Sequence, residues 1–178
     1  MKLKSVYVGG AFATALLIAA CKKDDDDTII ETVNTQDSTF LVQASQSNWA
    51  EINLGTLALT KANSDSVRAF AQMMITDHTE AQADLTSVVN NISLNVNMSD
   101  SLSAPIIAMR DSMQALSGTA FDSAYIAGQV RSHKQTLPAF DAELSNGSNT
   151  RVKAYATNIR PAIQNHLTMA DSLMTQLQ

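Results

Sequence analysis

The chain has 178 residues, enough for one domain with a substantial core, and sets 12 Lys and Arg against 17 Asp and Glu for a formal charge of −5. Aromatics make up only 5%, with six Gly and three Pro, which argues against a turn-rich β-fold and for helices. The basic residues are scattered, and the net negative charge excludes a nucleic-acid surface, which needs clustered Lys and Arg.

In chain order, Lys2 and Lys4 precede an apolar or small-residue run from Val6 to Ala20, the architecture of a secretory signal. The run is shorter than the roughly 20 residues of an ordinary membrane span, so removal is expected. Leu17-Ile18-Ala19-Ala20-Cys21 resembles the lipobox of bacterial lipoproteins. That resemblance implies cleavage before Cys21 and lipid on the sulfur of the chain's single cysteine. Each buried methylene of an acyl chain contributes about 0.8 kcal/mol, so several chains hold a protein durably on a membrane. The acidic stretch that follows is too poor in apolar residues to pack. Its Asp24–Asp27 run resembles the signals that send lipoproteins of the Bacteroidetes to the cell surface. The expected organisation is a signal over 1–20, a lipidated cysteine with a flexible tether over 21–37, and a folded domain over 38–178. The expected location is the cell envelope, lipid-anchored to the outer membrane and either periplasmic or surface-exposed.

From Phe40 the apolar residues recur with helical spacing, broken at Asn63-Ser64-Asp65, Asn95 to Ser101, Ser117-Gly118 and Asn146-Gly147-Ser148. The pattern predicts helices over 38–62, 65–92, 119–145 and 150–177, with Asp65 and Thr119 as N-caps. A shorter helix over 101–116, interrupted early by Pro105, carries the chain between the second and third. Helices of about 27 residues span about 40 Å, so the short turns after the first and third return the chain antiparallel. The expected fold is all-α: an antiparallel four-helix bundle with a short extra helix in its crossover. Val67-Arg68-Ala69-Phe70-Ala71 and Val152-Lys153-Ala154-Tyr155-Ala156 open the second and fourth long helices as an internal echo.

Sorting positions at 100° per residue shows where the ionisable groups point. Glu51 shares a stripe with Phe40, Ala44, Leu54 and Ala58; His78 with Val67, Met74, Leu85 and Val89. His133 lies with Ile126, Val130, Leu137 and Phe140, and His166 with Ile159, Ile163, Ala170 and Leu173. All three histidines and Glu51 therefore face the core, at comparable depth in the two hairpins. Asp77 and Glu80 point sideways and away. A carboxylate buried alone costs several kcal/mol, so Glu51 requires a partner, a proton or a metal. One arrangement is a single-metal site of Glu51, His78, His133 and His166, open to Fe, Zn, Mn or Cu, with Gln82, Asp122 and Gln129 beside it. The other is a metal-free Glu–His network that fixes helix register. Trp49 projects away from the Glu51 face, and the methionines are spread as core filler.

Phe40-Leu41-Val42, Ala50-Glu51-Ile52-Asn53-Leu54-Gly55, Val67 to Met74, Asp77-His78 and Phe121-Asp122-Ser123-Ala124-Tyr125, with His133 and His166, resemble the DUF4142 family of exported bacterial proteins. The resemblance covers about 38–177 and implies a ferritin-like bundle with no established activity. Di-iron ferritin-like proteins use Glu-x-x-His on two helices. Here Ile75 and Ile163 stand three before His78 and His166, which argues against a di-iron centre and leaves a single-metal site. No serine or cysteine nucleophile is placed convincingly and no glycine-rich phosphate loop occurs, so the pattern assigns no enzymatic activity. The expected roles are metal binding at the envelope or a non-catalytic scaffold using the outer surface.

Overall fold

A computed structural model describes residues 32–92, 94, 96, 98 and 100–178. Cys21 and most of the expected tether lie outside the described residues. Within them, five helices follow in order: α1 (Thr35–Lys61), α2 (Asp65–Asn91), α3 (Ala104–Gln114), α4 (Gly118–Asn146) and α5 (Thr150–Gln176). The four long ones form an antiparallel bundle in which α1 pairs with α2 and α4 with α5, and α3 occupies the crossover. None is long and apolar enough to cross a membrane.

Local chemistry explains the helix ends and corrects three expected ones. α1 begins at Thr35, ahead of the expected 38, because Asn34 accepts from the Asp37 amide while Asp37 accepts from the Asn34 amide. This reciprocal pair satisfies two donors that would otherwise be free. Ser64, in place of Asp65, is the N-cap of α2, and Ser117, in place of Thr119, that of α4. Gly118 then takes φ +58°, in the left-handed region where a side chain would be strained. Asn149 caps α5 by accepting from the amides of Arg151 and Val152.

The core divides along the bundle axis. One apolar cluster joins Leu54 and Ala58 of α1, Phe70 and Met74 of α2, Tyr125 and Ile126 of α4 and Ala170 of α5. A second joins Phe40 and Leu41 of α1, Leu85 and Val89 of α2, Phe140 of α4 and Tyr155 and Ile163 of α5. Each fully buried large apolar side chain contributes about 1.5–3 kcal/mol, so these clusters dominate the stability. On all four long helices buried polar residues lie between them: Asn48 and Glu51, His78 and Gln82, Gln129 and His133, and His166. Antiparallel pairing brings these midpoints to one level, as a buried polar layer between two apolar halves.

Candidate metal centre

The layer is built around three imidazoles. His78, His133 and His166 are each at most 3% exposed, and one ring nitrogen from each lies within 4.8 Å of the others. The ring centroids stand 5.4 to 6.0 Å apart.

Each ring has one nitrogen fixed by an acceptor. His133 Nδ1 lies 2.9 Å from the Gln129 carbonyl one turn earlier on α4, which can only accept. His166 Nε2 lies 2.9 Å from Asp77 Oδ2. His78 Nδ1 lies 2.9 Å from Asn48 Oδ1, and Asn48 Nδ2 donates to Gln82 Oε1 and Tyr155 Oη. Gln82 in turn donates to Ser45 Oγ. With the proton placed on the acceptor side of every ring, the lone pairs sit on His78 Nε2, His133 Nε2 and His166 Nδ1. These are the three ring atoms that are buried without a protein hydrogen-bond partner.

Leaving a buried polar atom unpaired costs about 1–3 kcal/mol, and three lone pairs cannot satisfy one another. A cation does satisfy them. A tetrahedral ion with metal–nitrogen bonds of about 2.0–2.1 Å spaces its ligand atoms about 3.3 Å apart, so shifts of about an ångström bring all three onto one ion. The outer partners Asn48, Asp77 and the Gln129 carbonyl orient the rings as such ligands require. Burial, reinforced by the positive charge that His166 and His133 would carry, holds the pKa of His78 well below the usual histidine range. Burial also lowers that of His166, against the opposing pull of Asp77. Both effects favour the neutral, ligating form. The buried three-histidine cluster can therefore bind a metal ion.

Glu51 lies in the same layer, 1% exposed, with each oxygen engaged from α4: Gln129 Nε2 donates to Oε2 at 2.7 Å and Ser132 Oγ to Oε1 at 2.6 Å. Its charge acts on His166 and, after burial, on Tyr125, whose phenol is pushed well above its ordinary pKa. Of the residues expected beside the histidines, Gln129 touches Glu51 directly and Gln82 reaches His78 through Asn48. Asp122 does not belong there. It accepts from the amides of Asn63 and Ser64 and ties the α1–α2 turn to α4, because its depth matches the end of the bundle. The residues not anticipated are Asn48, which lies one turn before Glu51 on the same face, and Asp77, which reaches His166 across a helix boundary.

A second polar cluster joins the start of α1 to the α4–α5 turn. Asp37 accepts from the amides of Ser148 and Asn149 and from Ser148 Oγ. Burial alone would raise its pKa, but the amides of Asn34 and Asn149, the Ser148 hydroxyl and Glu143 hold it below the ordinary value. Glu143, buried against Asp37, is pushed up to about 7, first by burial and then by its carboxylate neighbour.

The backbone is similar to the crystal structure of a DUF305 fragment from Deinococcus radiodurans, with a TM-score of 0.71 over 81% of this chain and 98% of that one at 12% identity, a likeness of fold alone. A comparison with curated proteins returned no match. The match to the family model of DUF4142, a domain of unknown function, runs over residues 26–173, encloses the whole polar layer, and shows that the chain belongs to this family.

Proposed function

We propose that the bundle binds one transition-metal ion through His78, His133 and His166 and holds it at the cell envelope. The observation that carries this reading is the set of three buried ring nitrogens, each left with its lone pair by a fixed acceptor on the far side of the ring. With the rings in these tautomers, a purely hydrogen-bonded cluster has no donor at its centre. Imidazole ligands suit Zn, Cu and Fe, and three neutral donors leave a further coordination position for a small molecule or for Glu51. As hydrogen-bonded here, Glu51 provides a buried negative charge that offsets part of the ion's charge at one remove. Metal analysis of the full chain after exposure to Zn, Fe, Mn or Cu tests the reading: one ion per chain is expected, lost in His78→Ala with His133→Ala. No stoichiometric ion in the wild type overturns it.

Cys21 is proposed as the lipid attachment site, on the strength of the preceding apolar run and the Leu17–Cys21 pattern. Cys21→Ser is expected to abolish lipid labelling and release the protein from membranes. Wild-type protein without lipid label removes the anchor.

A further inference from the structure

An ion can reach three buried nitrogens only by displacing something, and the three rings differ in what holds them from behind. His78 is backed by Asn48, itself 3% exposed, and His133 by its own helix backbone. Glu51, the carboxylate on the α1 side, is buried with Ser132 donating to it, and grooves of about 230 Å³ and 210 Å³ on either side of α4 share Ser132 and Gln135 in their linings. His166 is the exception. Its side chain is 4% exposed, but Nε2 is bonded to Asp77, whose side chain is 40% exposed. It also offers Nδ1 inward where the other two offer Nε2. One ring thus spans from the centre of the cluster to a carboxylate in contact with water.

We propose that Asp77 is the first ligand an incoming cation meets, and that the ion passes to and from the centre beside a His166 ring that swings away from this carboxylate. The inference rests on the metal reading of the three histidines. An aqueous divalent ion is attracted to a surface carboxylate, and Glu80, exposed one turn further along α2, adds to the same negative field. Contact with Asp77 breaks the Asp77–His166 bond, and the freed ring turns about its side-chain torsions. The ion then moves inward, and His166 closes behind it with Nε2–H again on Asp77. Among the described residues, no other cluster histidine is hydrogen-bonded to an exposed carboxylate.

The test is the rate of cobalt(II) uptake by the full metal-free chain, followed by the visible absorption of the bound ion. Asp77→Asn keeps an acceptor for His166 and removes the charge. It is expected to slow uptake and release alike by about tenfold or more and to flatten the dependence of uptake on ionic strength, with the final stoichiometry unchanged. Gln135→Trp, at an exposed residue that lines both grooves, is expected to leave the rate as it is. Unchanged uptake in Asp77→Asn overturns the route, as does faster release at an unchanged uptake rate, which would make Asp77 only a positioning residue. Slowed uptake in Gln135→Trp alone moves the route to the grooves beside α4 and overturns it as well. A wild-type chain that takes up no cobalt removes the metal reading itself, an outcome separate from these.

Discussion

Gln129 donates its side-chain amide to Glu51 at 2.7 Å while its own carbonyl accepts from His133, so one residue of α4 joins the buried carboxylate to the histidine cluster. The two bonds respond differently to mutation, since one belongs to the side chain and the other to the backbone. Gln129→Leu is expected to leave Glu51 with Ser132 alone and to lower stability by about 1–3 kcal/mol. Metal stoichiometry should be retained, because the carbonyl behind His133 remains. Denaturant unfolding paired with metal titration checks both halves, and loss of the ion would show that the Gln129 side chain is needed at the centre.

Asn48 offers the complementary case, a side chain that holds a ligand from outside the centre. Asn48→Leu frees Nδ1 of His78 and removes donors to Gln82 and Tyr155. Ligand-orienting partners of this kind are typically worth 10–100-fold in metal affinity. The expected result is about that loss in a chelator competition, with one ion still bound at saturation.

Binding to the folded state alone raises stability by about 2.7 kcal/mol at 100 times the dissociation constant. The melting temperature of the wild type should therefore rise with added ion and fall with chelator, whereas His78→Ala with His133→Ala should respond to neither. Scanning calorimetry at several ion concentrations reads this directly.

Glu143 predicts a pH dependence at the end of the bundle. Its pKa is about 7 in the folded chain and 4.5 ordinarily, so between these values the unfolded chain loses its proton first. Stability from this group is full at low pH, declines as pH rises through that window, and levels off above about 7. Glu143→Gln, a fixed neutral stand-in for the protonated form, should remove the decline. Melting curves from pH 4 to 8 for both proteins isolate the group, and parallel curves would refute the assignment.

The inward set was legible because a helical period of 3.6 sorts residues by face without knowledge of neighbours. His78, His133, His166 and Glu51 fell on apolar stripes, and the structure buries all four. What the period cannot give is the partner across a helix boundary. Asp77 points sideways from its own helix, as the pattern indicates, yet sideways is toward His166 of α5. Asp122 lies inward and so reads as near the histidines, but depth along the axis places it at the α1–α2 turn. Asp37 and Glu143 are not legible in the sequence, because the apolar pattern starts α1 after Asp37 and a carboxyl pair at a helix end carries no periodic signal.

The Asp37 cluster also bears on how load would pass through the fold. The chain approaches α1 through Thr32 and Asn34; Ser148 donates to the carbonyl of the first, and the second donates to the carbonyl of Asn146. These contacts join the start of the α1–α2 hairpin to the turn of the α4–α5 hairpin. A pull applied upstream of residue 32 is therefore shared by both hairpins from the outset. Separating α1 from its neighbours would first require several hydrogen bonds at that one corner to fail together, which makes it the mechanical clasp of the bundle.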